Sequence, residues 1–167
     1  MNKRSITQNE KKLILVLDNI RSEHNTGSLF RTADGAGVSK VFLVGTTPKP
    51  IDRFGRPVGT IAKTALGAEK TIPYEYYATT EETITVLKKE GVHIYSLEQT
   101  ASSVSLFDVE PQFPCALIVG NEVDGVSKEF VDASDTVLEI PMNGEKESLN
   151  VSVAGGIGLF FLLQKKK

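Results

Sequence analysis

Five short apolar runs are spread along this chain of 167 residues, and their pattern limits the folds that it can adopt. They cover residues 13–17, 41–44, 92–97, 116–119 and 137–140. Most of them are continuous rather than alternating, which is typical of strands covered on both faces. Helix-like stretches lie between them, at residues 26–36, 80–90 and 128–133. This alternation predicts an α/β fold with a mostly parallel sheet and helices on both faces.

The length of the chain and its glycine, proline and cysteine content predict a single domain over residues 1–167. About 150 residues is an ordinary domain length, and no repeat or interior linker divides the sequence. Residues 45–67 hold three prolines and four glycines, which predicts a long loop with a short helix near residues 60–65. The single cysteine, Cys115, lies in an apolar run, so we expect a core thiol and a reducing compartment.

The C-terminal segment has the apolar spacing of a helix but carries three glycines. Its apolar stripe consists of Leu149, Val153, Ile157, Phe160 and Phe161. Gly155, Gly156 and Gly158 each weaken a helix by up to about 1 kcal/mol, so their small size must serve the close approach of another helix or of a second copy of the chain. Neighbouring leucines add more apolar surface than one core face needs, and we therefore expect a homodimer.

Charge is unevenly divided along the chain. Residues 1–70 hold twelve Lys and Arg against six Asp and Glu, whereas residues 71–167 hold seven against fifteen. The first part can therefore form a surface that binds phosphate groups. The alternative is that the charged residues of both parts only face solvent, which would give the same composition. The first ten residues contain no apolar stretch, and the uncharged segment 148–164 is too short for a membrane span, so we expect a cytoplasmic protein with no membrane partner.

Several common catalytic signatures are missing from the sequence. It contains no P-loop, no zinc-protease or paired-cysteine motif and no nucleophile-elbow motif, which argues against those classes of NTPase, metalloenzyme and hydrolase. The C-terminal glycines do not follow a strand with the spacing of a dinucleotide-binding site. No metal site is predicted.

Three polar clusters remain, each near the end of a predicted strand, where open α/β sheets bind ligands. The first holds Asn25 and, one turn into the helix, Arg31; with free backbone N–H groups these suit a phosphate, although Asn25 can also be a plain helix cap. In the second, residues 119–125, Glu122 stands between glycines that allow close backbone approach, and a plain turn is the alternative. The third runs over residues 140–152, where Ser148 can be a helix cap.

In this order and at this spacing, the three clusters resemble the three motifs of the SpoU/TrmH branch of the SPOUT RNA methyltransferases. The matching segments are residues 25–33, 117–125, 140–142 and 148–154. The resemblance implies a deep trefoil knot in the C-terminal part, which is an exception to the rule that chains do not thread loops. It also implies a homodimer, S-adenosyl-L-methionine as the methyl donor and RNA, either tRNA or rRNA, as the substrate. Larger relatives carry added RNA-binding domains, and we expect no substantial one in this chain.

The functional positions of that family can be carried over residue by residue. Backbone and apolar groups at four positions are expected to hold the cofactor: Leu97, Gly120, Ile140 and Leu149. Five polar residues match the catalytic positions of the family: Asn25, Arg31, Glu122, Ser148 and Asn150. For RNA capture, we expect the segment 3–12 and the loop 49–56 to supply positive charge.

The reaction implied by the resemblance is methylation of a ribose 2′-hydroxyl. A guanidinium is a poor proton acceptor, so we expect Arg31 to bind the adjacent phosphate and to stabilise the developing oxyanion. Glu122 is expected to organise the residues of the first cluster through hydrogen bonds. Two alternatives stay open: an RNA-binding or assembly factor that has the fold but transfers no methyl group, and an enzyme that methylates a base.

Overall fold

The computed structural model of the protein describes residues 11–164, and these residues form one sheet flanked by helices. The strands are β1 (Leu13–Asp18), β2 (Lys40–Val44), β3 (Tyr74–Tyr77), β4 (His93–Leu97), β5 (Val104–Ser105), β6 (Cys115–Val119) and β7 (Thr136–Glu139). Their order across the sheet is β3-β2-β1-β6-β4-β7-β5. Every pairing between neighbouring strands within the described residues is parallel.

Helices cover both faces of the sheet. They are α1 (Glu23–Ala36), α2 (Gly59–Ala65), α3 (Ala68–Thr71), α4 (Thr80–Lys89), α5 (Lys128–Ala133) and α6 (Val151–Gln164), with a 3-10 turn over Leu106–Asp108. Leu13, Leu15 and Leu17 of β1 join a core with α1, α2 and α6, whereas Ile14 and Val16 join a second core with α4 and α5. The prediction of a mostly parallel α/β fold with helices on both faces is confirmed. Across residues 11–164, none of the helices is both long and apolar enough to span a bilayer.

The five apolar runs are all strands, with bounds within one residue of those predicted. Two strands were not predicted. β3 lies at the edge of the sheet and has no fully buried residue, and β5 is only two residues long, so neither has a continuous apolar run. Cys115 is buried in β6, which confirms the expectation of a core thiol, and burial raises the pKa of this thiol to about 12.

Asn25 is not the cap of the helix that follows β1. The N-cap of α1 is Ser22, whose hydroxyl accepts from the Asn25 N–H at 3.1 Å, and α1 therefore begins before Asn25. Ser127 stands at the N-cap position of α5, but its side chain makes no cap hydrogen bond. Its hydroxyl instead donates to Asp18 Oδ2 at 2.7 Å, because that carboxylate is buried at the end of β1 and needs donors.

The glycines of α6 allow close packing inside the chain. A Cβ on Gly155 would lie 2.7 Å from Leu29 Cδ2 of α1, and a Cβ on Gly158 would lie 3.0 Å from Leu117 Cδ2 of β6. The expected close approach is therefore made by another helix and a strand of the same molecule. The outer side of α6 is still apolar, with Val153 50% and Phe160 43% exposed.

Candidate active site

Three segments of the chain meet at one edge of the sheet. β1, β6 and β7 are parallel strands, so the residues that follow them leave the sheet at its carboxyl edge. The first segment leads into α1, the second is the loop after β6, and the third is the loop that joins β7 to α6. These segments carry the three polar clusters of the sequence.

A directed chain of hydrogen bonds joins the three segments. The N–H and hydroxyl groups of Ser152 both donate to Asn150 Oδ1, at 2.9 and 2.6 Å. Asn150 Nδ2 donates to Asn25 Oδ1 at 3.4 Å, and Asn25 Nδ2 donates to Glu122 Oε1 at 3.0 Å. Because each acceptor oxygen must face a donor, this sequence of bonds defines the orientation of both amide groups.

Glu122 ends this chain of hydrogen bonds as an ionised acceptor. Desolvation acts to raise its pKa, but hydrogen bonds from the Asn25 side chain and from the backbone N–H groups of Glu122, Arg21 and Ser22 outweigh it. The net result is a pKa below the ordinary carboxyl value. The backbone donors directly before α1 are thus engaged by a carboxylate of the same chain.

The loop after β6 is tightly folded and held by a buried amide. Asn121 Oδ1 accepts from two backbone N–H groups of the loop, at 2.8 and 3.1 Å, and Asn121 Nδ2 donates to the carbonyl of Asn19 at 2.8 Å. Gly120 has no room for a side chain, since a Cβ there would lie 2.1 Å from the backbone nitrogen of Val126. The loop therefore places Glu122 next to the segment that follows β1.

A cavity of about 400 Å³ opens beside this cluster. Apolar side chains form much of its wall: Leu97, Val119, Ile140, Met142, Leu149, Val151 and Ala154. Its polar side chains are Glu98, Gln99, Asn121, Glu122, Glu139, Ser148 and Asn150. This combination of size, apolar walls and a few polar groups is typical of a small-molecule site. Among these lining residues three are carboxylates and none is Lys or Arg, so the cavity favours a ligand that carries positive charge.

The structure brings most of the site residues predicted from the sequence to this cavity. Lining it are Leu97, Gly120, Glu122, Ile140, Ser148, Leu149 and Asn150. Asn25 reaches its rim through its bonds to Glu122 and Asn150. Arg31 is not among the lining residues: its side chain is exposed on α1, six residues after Asn25 and roughly 9 Å further along the helix axis.

Ser148 is not the cap of the last helix. α6 begins at Val151, and the carbonyl of Asn150 accepts from the N–H groups of Val153 and Ala154. Asn150 therefore occupies the capping position, with its side chain turned toward Ser152 and Asn25. Ser148 is an exposed residue of the cavity wall.

Sequence reasoning assigned no role to four residues that build this edge. Asp18 Oδ2 accepts from the backbone N–H of Ser127 at 2.7 Å, and Asn121 holds the loop after β6. Glu98 Oε2 accepts from the N–H of Val126 at 2.9 Å, and Gln99 Nε2 donates to the carbonyl of Glu147 at 2.9 Å, which ties the loop before α6 over the cavity. All four stand within two residues of the end of a strand, and that position is the signal that could have identified them.

Comparison with known protein sequences identifies the family. A model of the SpoU rRNA Methylase family matches residues 12–160. The 23S rRNA (guanosine-2'-O-)-methyltransferase RlmB of Xanthomonas axonopodis pv. citri is 35% identical over 156 residues, which cover 93% of this chain and 60% of that protein. RlmB of Vibrio cholerae is 32% identical over 161 residues, which cover 96% of this chain and 62% of that protein. The chain thus spans about three fifths of the length of these relatives.

Solved structures have the same fold. The AdoMet-bound rRNA methyltransferase from Sinorhizobium meliloti is 31% identical and superposes with a TM-score of 0.81, over 92% of this chain and 56% of that one. The TrmH/SpoU tRNA modifying enzyme of A. aeolicus is 31% identical with a TM-score of 0.79, over 93% of this chain and 76% of that one. Since the family model matches nearly the whole sheet and its polar edge, the chain belongs to the SpoU rRNA Methylase family.

Proposed function

We propose that this chain methylates a ribose 2′-hydroxyl in RNA with S-adenosyl-L-methionine as the methyl donor. The observation that carries the proposal is the cluster of Asn25, Glu122 and Asn150, which come from three distant segments, at the rim of an apolar-walled cavity. Relatives at 35% and 32% identity are named as 2′-O-methyltransferases of 23S rRNA, and one solved relative is named as a tRNA modifying enzyme. We therefore take rRNA or tRNA as the substrate class.

The lining of the cavity fits the donor. Leu97, Ile140 and Leu149 offer apolar surface for an adenosyl group, and the three carboxylates of the lining favour a cationic sulfur and an ammonium group. When bound, S-adenosyl-L-methionine supplies a methyl group on a positively charged sulfur, which is open to attack by an oxygen nucleophile. The residues that would hold it are those of the cavity wall.

The polar cluster orients the acceptor ribose. Asn25 is fixed between Glu122 and Asn150, and the second hydrogen on each amide nitrogen is left to donate to a ribose oxygen. Holding the 2′-hydroxyl beside the cavity makes the encounter with the methyl group intramolecular, which is a large part of the rate enhancement available. Glu122 is a positioning residue: its partners all donate to it, and its lowered pKa makes it a weak base.

We assign Arg31 to the phosphate next to the methylated ribose. The planar guanidinium matches two phosphate oxygens, and the Arg31 side chain is exposed on α1, the helix that also carries Asn25. A cation held there stabilises the negative charge that develops on the 2′-oxygen as its proton passes to solvent water.

The experiment uses the whole chain, RNA from cells that lack it, and a donor with a labelled methyl group. After transfer, the RNA is digested to nucleosides, and the label is expected in a 2′-O-methylnucleoside. Label in a base would reassign the acceptor. If calorimetry detects no uptake of the donor, the chain is an RNA-binding or assembly factor and the proposed activity is wrong.

We infer that the C-terminal part of the chain forms the deep trefoil knot implied by the family resemblance. The non-sequential strand order supports this, because β4 lies between β6 and β7, and α6 returns to pack against α1, β6 and β4. A knotted chain pulled from both ends stops short of its contour length, which is about 3.3–3.6 Å per residue. Single-molecule stretching that reaches the full length would contradict the knot.

We also propose that the protein is a homodimer that works in the cytoplasm. The exposed apolar side chains of Val153 and Phe160 on α6 support a second copy as the partner of that helix. The buried thiol of Cys115 and the proposed RNA substrate fit a reducing cytoplasm. The described strands form one sheet, which supports the prediction of a single domain over residues 1–167.

A further inference from the structure

We propose that the loop from Lys49 to Pro57 is a stacking platform for an unpaired base of the RNA substrate, with Phe54 as the stacking surface and Arg53 and Arg56 as contacts for the flanking phosphates. This inference rests on the proposed function, since it names an unpaired base of the RNA substrate that the protein binds outside the candidate active site. The loop is hereafter called the stacking loop.

The stacking loop is held in one shape by a single carboxylate. Asp52 Oδ1 accepts from the backbone N–H groups of Phe54 and Arg56, at 2.8 and 2.9 Å, and Asp52 Oδ2 accepts from Arg56 Nε at 2.9 Å. Backbone bonds close the turn, with Asp52 N–H donating to the Arg56 carbonyl at 2.8 Å, and Ile51 bridges to Pro57. A loop fixed in this way loses little further entropy when a ligand binds.

The ring of Phe54 is exposed although nothing in this loop requires an apolar residue at its tip. Its exposed fraction is 65%, so a base has room to stack on it. The guanidinium carbons of Arg53 and Arg56 lie 4.7 and 5.0 Å from the ring centroid. Unpaired bases are bound in RNA-binding proteins by aromatic rings and guanidinium planes of this kind.

A second cation–aromatic pair extends the platform toward the sheet. Lys49 Nζ lies 4.2 Å from the centroid of Tyr76, and the Tyr76 hydroxyl donates to the carbonyl of Gly45 at 3.0 Å. Tyr76 is 40% exposed. The platform therefore presents two aromatic rings and a net charge of +2 from Lys49 and Arg53, because Arg56 is paired with Asp52 within the loop.

The stacking loop leaves the sheet at the same edge as the candidate active site. β2 is the parallel neighbour of β1, and Thr47 Oγ1 joins the two by donating to the Leu17 carbonyl at 2.9 Å and accepting from the Ile20 N–H at 3.0 Å. After the loop, α2 packs directly on α1, where a Cβ on Gly27 would overlap Thr64. Gly27 is two residues past Asn25. The helix that follows the stacking loop therefore packs against the helix that carries Asn25 of the polar cluster.

Charge decides in favour of RNA as the occupant. The cavity wall is acidic, with Glu98, Glu122 and Glu139, and it repels phosphates. The stacking loop is a cationic surface at the same edge of the sheet, so a polyanion that brings its ribose to the cavity reduces repulsion by placing its flanking phosphates on this loop. An acidic protein partner could form ion pairs with the arginines of the stacking loop, but it would leave the exposed ring of Phe54 without a stacking partner.

The test uses the full chain and a single-stranded oligoribonucleotide of about 12 nucleotides with 2-aminopurine at its centre. Stacking on Phe54 is expected to quench the fluorophore, and Phe54→Leu is expected to remove the quenching and to weaken RNA binding about 10-fold. Phe54→Trp, which keeps an aromatic ring, is expected to quench the fluorophore and to bind RNA as the wild type does. The matched control is Phe107→Leu, another exposed phenylalanine, with an exposed fraction of 49%, outside the stacking loop, which is expected to change neither.

A second measurement tests the phosphate contacts. Arg53→Gln is expected to reduce the slope of log affinity against log salt by about 1, whereas Lys89→Gln, at the end of α4, is expected to leave it unchanged. The proposal that Phe54 stacks on a base is wrong if the wild-type chain does not quench the fluorophore. It is also wrong if Phe54→Leu and Phe107→Leu lose quenching and RNA affinity to the same extent. Quenching that persists in a chain that takes up no methyl donor would instead overturn the proposed activity and keep the platform.

Discussion

Four donors converge on the carboxylate of Glu122: the side chain of Asn25 and the backbone N–H groups of Arg21, Ser22 and Glu122 itself. In Glu122→Gln an NH₂ group replaces one acceptor oxygen, so at least one of these donors loses its partner and Asn25 loses its fixed orientation. Hydrogen bonds to charged groups are worth about 1.5–3 kcal/mol, and we expect the single-turnover rate of methyl transfer to fall about 10- to 100-fold. Glu129→Gln, on the exposed side of α5, is the matched control.

The pH dependence of Glu122→Gln distinguishes positioning from proton transfer. A positioning residue leaves the shape of the pH–rate profile unchanged, whereas loss of a base would shift it. Since the pKa of Glu122 is lowered on folding, its hydrogen bonds stabilise the folded chain above the ordinary carboxyl pKa, and this contribution is lost as the pH falls through the lowered value. The Tm difference between wild type and Glu122→Gln should therefore shrink below about pH 4.

Arg31 is proposed to act through the shape of its guanidinium as well as its charge. Arg31→Lys keeps the charge but cannot make two parallel hydrogen bonds to a phosphate, so we expect the single-turnover rate to fall about 10-fold or more with uptake of the methyl donor unchanged. Rapid-quench measurement with RNA substrate gives the rate, and calorimetry gives donor uptake. A near-normal rate in Arg31→Lys would exclude the bidentate contact.

At the scale of the elements, the contact between α1 and α2 depends on a glycine. A Cβ on Gly27 would lie 1.8 Å from Thr64 Oγ1 and 2.8 Å from the backbone oxygen of Ile61, so Gly27→Ala must push the two helices apart. Overpacking of this kind costs about 1–3 kcal/mol, and we expect Gly27→Ala to lower the free energy of unfolding by that amount. Urea unfolding followed by circular dichroism measures it.

Gly35, on the same helix, is the matched control. The nearest atom to a Cβ there would be Phe160 Cζ at 3.9 Å, which is ordinary contact, so the higher helix propensity of alanine is expected to stabilise Gly35→Ala by up to about 1 kcal/mol. The two substitutions are expected to have opposite signs, because both gain helix propensity and only Gly27→Ala overpacks its surroundings. Equal effects would mean that α2 is not seated on Gly27 in solution.

The elements that could be predicted from the sequence are those whose environment is uniform along their length. Every residue of β1 and β6 is buried, so a continuous apolar run identifies each strand. β3 is partly exposed along its length at the sheet edge, and its Tyr-Glu-Tyr-Tyr sequence carries no such run. Local sequence patterns therefore locate the core strands and miss the edges.

The site was predictable as a set of segments but not as a set of contacts. Asn25 looks like a helix cap in isolation, yet its side chain bonds to Glu122, 97 residues away, and Ser22 is the cap. Ser127 likewise donates to Asp18, 109 residues away. Which of two possible partners a polar side chain takes depends on what the fold brings next to it, and no local spacing contains that information.

At the scale of the whole molecule, the uneven charge along the chain places an acidic surface and a basic surface at the carboxyl edge of the sheet. The acidic second part of the sequence supplies the carboxylates of the cavity, and the basic first part supplies the stacking loop beside it. Under the proposed function, a molecule with a net charge of −2 can therefore attract RNA locally while its acidic cavity repels phosphates. One surface that this arrangement does not explain is the apolar outer side of α6.

Dimerisation through α6 is tested by placing a charge on that side. Phe160 is 43% exposed, and Phe160→Glu would bury a carboxylate between two copies, so we expect the dissociation constant of the proposed dimer to rise about 100-fold. Light scattering across a dilution series measures the mass. Val104→Glu, at a similarly exposed apolar residue of the edge strand β5, should stay dimeric. A wild-type chain that is monomeric at all concentrations, or equal dissociation of both variants, would show that α6 is not the interface.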